Sequence, residues 1–131
     1  DTTTYASDAA EIIRLTNEYR QENGLGTLSH ISIVDIPATV RAEEAAEVWS
    51  HTRPDGSNFN TVFTECGLKY TAYGENLFAV NTSYSPEEVV QAWKDSPAHN
   101  ENLLRSNFNG IGVGIAYVGG EYYYCQLFIQ R

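Results

Sequence analysis

The fold is decided by residues 110–129, which read GIGVGIAYVGGEYYYCQLFI. Apolar side chains alternate with glycine or alanine before Gly119-Gly120, and the alternation resumes with aromatic and apolar side chains after it. A period of two residues is typical of β-strands, and paired glycines suit the tight turn between two of them. We therefore predict a β-hairpin of two long strands. One face of its first strand is bare glycine, on which a helix can pack closely.

Ahead of the hairpin, two Ser-Pro pairs mark the starts of helices. In Ser85-Pro86-Glu87-Glu88 the serine can cap the helix, the proline fits its first position, and Glu88 can return the capping-box bond. This helix is predicted to run to about Lys94. Ser96-Pro97 opens a second, short helix that extends through Leu104, and residues 76–80 read as a strand.

The first half of the chain predicts two longer helices. Asp8 and Glu11 resemble an N-cap and its reciprocating acid, which predicts a helix over residues 8–23 that ends at Gly24. A loop follows over residues 24–32, and apolar spacing predicts a second helix over residues 35–50.

Turn chemistry separates these helices from the rest of the chain. Arg53-Pro54-Asp55-Gly56 predicts a tight turn, and residues 61–65 a single helical turn. We expect one α+β domain over residues 1–131, with a short antiparallel sheet between helical layers. Its core is predicted to hold one residue from the hairpin and three from the helices: Ile111, Trp49, Val89 and Trp93.

Charge and hydropathy exclude some partners. The 131 residues carry 8 basic and 17 acidic side chains, a net charge of −9. Such a surface repels phosphate backbones and anionic lipid heads, so we expect no nucleic-acid or membrane-surface binding. No apolar run approaches the roughly 20 residues that a membrane span needs, so no transmembrane segment is expected.

Three polar residues fall where a site could form. His51 ends the second predicted helix, Glu75 precedes the strand, and His99 begins the short helix. Two imidazoles and a carboxylate suit a divalent cation or an acid–base pair, provided that the fold brings them together. Each residue alone also has a structural explanation, since a histidine at a helix C-terminus interacts favourably with the helix dipole.

The cysteines leave two alternatives open at this point. Cys66 and Cys125 could close a loop of about 60 residues, worth about 4 kcal/mol in the chain-entropy account of disulfides. They could equally be two buried, reduced thiols.

The ordered set of motifs closely resembles bacterial members of the CAP superfamily, the SCP-like extracellular domains. The resemblance covers nearly the whole chain and is carried by motifs in the expected order: Thr16-Asn17-x-x-Arg20, Ser50-His51-Thr52-Arg53-Pro54-Asp55-Gly56, Gly74-Glu75-Asn76-Leu77, Ser96-Pro97-x-His99, Ile111-Gly112-Val113-Gly114 and Tyr124-x-Gln126-x-Phe128.

The resemblance implies an α-β-α sandwich that is secreted or displayed on a cell surface. It also implies a cleft in which His51 and His99 face each other with Glu75 beside them. Related proteins hold divalent metals, often zinc, between these histidines, so we expect His51, His99 and Glu75 to be the metal ligands. The extracellular family further favours a disulfide between Cys66 and Cys125. Larger eukaryotic members carry a second acid where this chain has Ser96, which weakens the case for hydrolysis.

Three functions remain in competition. We expect a monomeric binding module that engages a protein, cell-wall or small-molecule ligand. The first alternative is a metal-dependent hydrolase of peptide or cell-wall substrates, with Glu75 as its catalytic residue. The second is a lipid or sterol carrier, although the chain has no extended loop that would correspond to a sterol-binding insertion.

Overall fold

The computed structural model describes residues 2–82 and 84–131, with side chains from Tyr5 onward. Along the chain, the strands are interspersed among the helices. They are α1 (Thr2–Glu22), β1 (Ser29–His30), α2 (Asp35–Glu47), α3 (Thr61–Glu65), β2 (Ala72–Val80), α4 (Pro86–Lys94), α5 (Pro97–Leu103), β3 (Gly110–Val118) and β4 (Glu121–Gln130).

The sheet has four strands in the order β1-β3-β4-β2. The hairpin of β3 and β4 is confirmed, and β2 pairs antiparallel with the other side of β4. β1 adds a short parallel edge, where Ser29 N–H donates to the carbonyl of Asn109 over 2.9 Å. The loop predicted for residues 24–32 therefore contains this strand, which is too short to show any periodicity.

Helices cover both faces of the sheet, which confirms the α-β-α sandwich. On one face, α1 and α4 close a core that contains Val89, Trp93 and Ile111, as predicted. On the other face, α2 and α3 close a second core around Phe63 and Leu127. Alternation along the strands sends neighbouring residues into opposite cores.

The glycine face of β3 lies under α2, as its bareness predicted. A Cβ atom at Gly112 would collide with Val34, and one at Gly114 would overlap the backbone of Ala38 and Thr39. Only hydrogen at these positions lets the helix approach the sheet this closely. Strand β3 thus fixes where α2 lies, and α2 carries part of the site.

The boundaries of α3 and α4 match the predictions, and those of α1 and α2 depart from them. The capping box of α4 is present: Glu88 N–H donates to Ser85 Oγ over 3.2 Å, and Ser85 N–H donates to Glu88 over 3.0 Å. The predicted N-cap at Asp8 is wrong, because α1 already begins at Thr2. Tyr5 and Ala9 extend the apolar stripe of α1 toward its N-terminus and pack on the core.

Trp49 is not a core residue, contrary to the prediction. Helix α2 ends at Glu47 instead of residue 50, and Val48 is extended, with φ −136° and ψ 111°. Helical spacing therefore no longer determines where Trp49 points. Its side chain is on the surface, 57% exposed.

The predicted disulfide is also wrong: within the described chain both cysteines are free thiols. Cys125 is fully buried on β4, and its Sγ lies 3.8 Å from a carboxylate oxygen of Glu75. Cys66 turns back on α3, where its Sγ lies 3.3 Å from the carbonyl oxygen of Phe63. The two sulfur atoms thus have separate surroundings.

Candidate functional site

Glu75 lies at the centre of the candidate site. It stands inside β2, opposite Leu127 of β4, because the strand begins at Ala72 and not after Glu75 as predicted. Its carboxylate has no solvent exposure. A buried carboxylate requires charged or hydrogen-bonding partners. This one has three: Arg41, His51 and the thiol of Cys125.

Arg41 of α2 is the first partner. Its Nε donates to Glu75 Oε2 over 2.6 Å and its Nη2 to Oε1 over 3.1 Å, a two-pronged ion pair with no solvent exposure on either side chain. The same guanidinium donates to Glu44 over 2.9 Å and to the carbonyl of Ser50 over 2.7 Å. Burial by itself would lower the pKa of the Arg41 guanidinium. The hydrogen bonds to Glu75 and Glu44 together have the larger effect, so the pKa is raised.

His51 is the second partner and the one that reaches solvent. Its Nδ1 donates to Glu75 Oε1 over 2.8 Å, while 56% of its side chain is exposed. With the proton on Nδ1, the other ring nitrogen, Nε2, carries a free lone pair. Glu75 thus selects the tautomer and the direction of the His51 ring, as carboxylates behind metal-binding histidines do.

The loop that carries His51 is tied down on both sides. Phe59 N–H donates to the carbonyl of His51 over 3.1 Å, and the two rings lie 6.2 Å apart. The predicted turn is present, with Gly56 N–H donating to the carbonyl of Arg53 over 2.8 Å. The buried guanidinium of Arg53 also forms ion pairs with Glu44 and Glu65. The loop that carries His51 is therefore held in place by hydrogen bonds, a ring contact and ion pairs.

His99 lies in the first turn of α5, where it was predicted. Its Nδ1 shares a hydrogen bond of 2.9 Å with Oγ of Ser96. Burial lowers the pKa of His99, and the nearby charge of His51 lowers it further. Both effects favour the neutral imidazole, which is the form that can bind a metal.

Strand β2 connects the two histidines through consecutive residues. Glu75 holds His51 on one face, and on the other face Asn76 Nδ2 donates to the carbonyl of His99 over 3.2 Å. The same amide donates to Gln126 over 3.1 Å, and Gln126 donates to Thr16 of α1 over 2.8 Å. This buried chain of polar groups fixes α5 against the sheet.

Sequence reasoning missed several of these residues, above all Arg41. A signal was present: Arg41 falls on the buried stripe of α2 with Ala38, Ala42 and Ala45. Gln126 gave a similar signal, as a polar residue in a strand between Cys125 and Leu127, all three fully buried.

The donors of the site differ in whether they are free to bind a divalent cation. Oε1 of Glu75 accepts from His51 and Arg41, and Oε2 from Arg41 and Cys125, so both oxygens already have two partners. Among the described residues, no group of three histidine, cysteine or acidic side chains is arranged to hold a metal. Each of the two imidazoles uses Nδ1 for a protein contact and keeps Nε2.

This architecture has known counterparts. Residues 13–128 match the CAP family, described as the cysteine-rich secretory protein family, and the chain belongs to that family. Two curated relatives come from Bacillus subtilis: the uncharacterized protein YkwD, 33% identical over 124 residues, and the uncharacterized membrane protein YlbC, 29% identical over 123 residues. Each alignment covers 92% of this chain but only 46% of YkwD and 34% of YlbC. The chain thus spans less than half the length of these relatives.

Solved structures support the same fold. An extracellular protein containing an SCP domain from Bacillus anthracis superposes with a TM-score of 0.86 at 25% identity, covering 97% of this chain and 41% of that one. An outer surface protein of Borrelia burgdorferi superposes with a TM-score of 0.80 at 20% identity, covering 95% and 93%. In the described part of the chain, no helix has the length and hydropathy to cross a membrane.

Proposed function

We propose that this domain is an extracellular binding module in which His51 and His99 together hold a divalent cation, with zinc the best match to their nitrogen donors. Two family relatives of known structure are described as an extracellular protein and an outer surface protein, which supports the location. The ion would be bound by Nε2 of His51 and Nε2 of His99, and Lewis acidity is the chemistry that it would supply.

One observation carries this proposal: the carboxylate of Glu75 is committed to Arg41 and to Nδ1 of His51. A general base needs a free lone pair that can reach a water molecule. Glu75 has no solvent exposure and instead fixes the imidazole that faces solvent. We therefore assign Glu75 a positioning role and favour binding over hydrolysis.

Two imidazoles leave coordination positions open for a ligand. A zinc ion held only by His51 and His99 would have room for donors from outside the domain. The ligand class that fits is an oxygen or nitrogen donor on a protein, cell-wall or small-molecule partner.

The test is a calorimetric titration with zinc in chelator-free buffer. We expect measurable binding to the wild type and at least a tenfold loss of affinity in His51→Ala and in His99→Ala. His30→Ala is the matched control, because this third histidine is exposed and bonded to Asp35 over 2.7 Å, away from Glu75. Zinc binding that survives in the His51→Ala/His99→Ala double variant would contradict the assignment.

A further inference from the structure

A second surface site lies on the same face of the sheet, beyond the end of α2. Trp49, Ala79, Glu121 and Tyr123 surround an open cavity of about 320 Å³. Alternation along β2 places Ala79 on the same face as Glu75, about 13 Å further along the strand. The cavity is therefore distinct from the histidine pair.

The aromatic side chains of this cavity present ring surface to solvent. The centroids of Trp49 and Tyr123 are 6.3 Å apart and the rings are tilted by 52°, so neither ring covers the face of the other. More than half of Trp49 is exposed. Tyrosine and tryptophan are enriched at interfaces because each combines a large apolar ring with a polar group, and here both line the same cavity.

The charge around the rings is negative. Glu121 accepts a hydrogen bond from the hydroxyl of Tyr123 over 2.8 Å, which leaves its other oxygen available to a ligand. Helix α2 ends at Glu47 with no basic residue in its last turn, and Glu43 and Glu47 are exposed there. Like charges four residues apart and acids at a helix C-terminus are both unfavourable, so this end of the helix attracts cations.

No cation of the described chain occupies the rings. Cation–ring contacts in the described residues occur between Lys94 and Tyr19 and between Arg105 and Phe108, both outside this cavity. The negative ring faces of Trp49 and Tyr123 attract a cation, and Glu121 adds a neighbouring carboxylate. Among the described residues, no cation contacts these two rings.

We infer that this cavity binds an alkylammonium group. Tryptophan gives the strongest cation–π attraction of any side chain, and aromatic side chains around a cation form the common recognition site for quaternary ammonium ions. The carboxylate of Glu121 adds a charge that a neutral sugar or an acyl chain would not use. The group comes from one of two sources, a small molecule such as choline or a lysine side chain on a partner.

Tryptophan fluorescence tests the inference directly. Of the two tryptophans Trp93 is fully buried, so choline is expected to change the emission of Trp49 in a saturable manner with a millimolar dissociation constant. The neutral carbon analogue of choline, dimethylbutanol, is expected to bind about tenfold more weakly. Equal binding of choline and dimethylbutanol would overturn the inference, and so would stronger binding of N-acetylglucosamine.

Ligand-observed NMR extends the test to variants. Choline affinity is expected to fall about tenfold in Trp49→Ala and about threefold in Glu121→Gln. Tyr117→Ala is the matched control, since Tyr117 is 53% exposed but lies on the opposite face of the hairpin with Tyr122. Unchanged affinity in Trp49→Ala would refute the site.

Two further measurements identify the source of the alkylammonium group and distinguish this cavity from the histidine pair. A lysine amide blocked at its α-amino group is titrated beside choline, and whichever binds more tightly identifies the source. The His51→Ala/His99→Ala double variant is expected to bind choline like the wild type, so failure of the zinc proposal and failure of this one can be told apart. Loss of choline binding in that double variant would overturn the separate site.

Discussion

A guanidinium with no solvent exposure stands behind the exposed imidazole of the site. Arg41 bonds Glu75, Glu44 and the carbonyl of Ser50, so it joins β2, α2 and the start of the His51 loop. Desolvation of the two charges offsets much of the attraction within a buried ion pair, whereas removal of one partner leaves an uncompensated buried charge. The contribution of the Arg41–Glu75 ion pair to stability is therefore best measured by removing one partner and then both.

We predict that Arg41→Met lowers the free energy of unfolding by about 3–5 kcal/mol, because it leaves the buried carboxylate of Glu75 without its counter-charge. The double variant Arg41→Met/Glu75→Leu is expected to be more stable than Arg41→Met alone, since no charge remains buried. Urea denaturation of the wild type and these variants measures both effects. A loss of stability below about 1 kcal/mol in Arg41→Met would show that other groups compensate the charge of Glu75.

The two thiols give a second prediction at this scale. Burial and the negative charge of Glu75 raise the pKa of Cys125 well above its ordinary value, and burial also raises the pKa of the half-buried Cys66. We expect two titratable thiols in the denatured, unreduced protein. In the native protein at pH 8, slow reaction at Cys66 is expected, and none at Cys125.

The Cys66→Ser variant is the control, because it should show no reactive thiol until it is unfolded. An absence of thiols in the denatured, unreduced wild type would mean that the disulfide forms after all.

At the scale of elements, the contact between α2 and β3 is the most demanding in the fold. Gly114→Ala is expected to lower the free energy of unfolding by about 3 kcal/mol, because the added methyl group overlaps the backbone of Ala38 and Thr39. Gly26→Ala is the matched control: its Cβ would meet no atom within 4 Å. Denaturant titration compares the two, and equal stability of both variants would show that α2 can shift without cost.

Elements with local signals could be predicted from the sequence. The capping box of α4 and the hairpin of β3 and β4 are encoded by residues within a few positions of one another. The end of α2 could not be predicted in this way, because Val48 and Trp49 continue the apolar pattern while the backbone leaves the helix. Strand β1 depends on a partner about 80 residues later in the chain, which no local pattern shows.

For the whole molecule, the site was only partly predictable. His51, Glu75 and His99 were identified individually, and the family resemblance indicated that they belong together. The placement of Glu75 behind His51 depends on Arg41, 34 residues earlier in the chain. The spacing of Arg41 with Ala38, Ala42 and Ala45 indicates a buried position, but the ion pair that allows an arginine to be buried there is a long-range contact that no local pattern shows.

The position of β4 has a consequence for how the domain folds during synthesis. It is the last strand in chain order, yet it lies inside the sheet between β3 and β2. Neither neighbour can form its antiparallel ladder until β4 has left the ribosome, and pairing with β2 must then close a long loop. The nascent domain therefore stays without its central sheet until its final strand emerges.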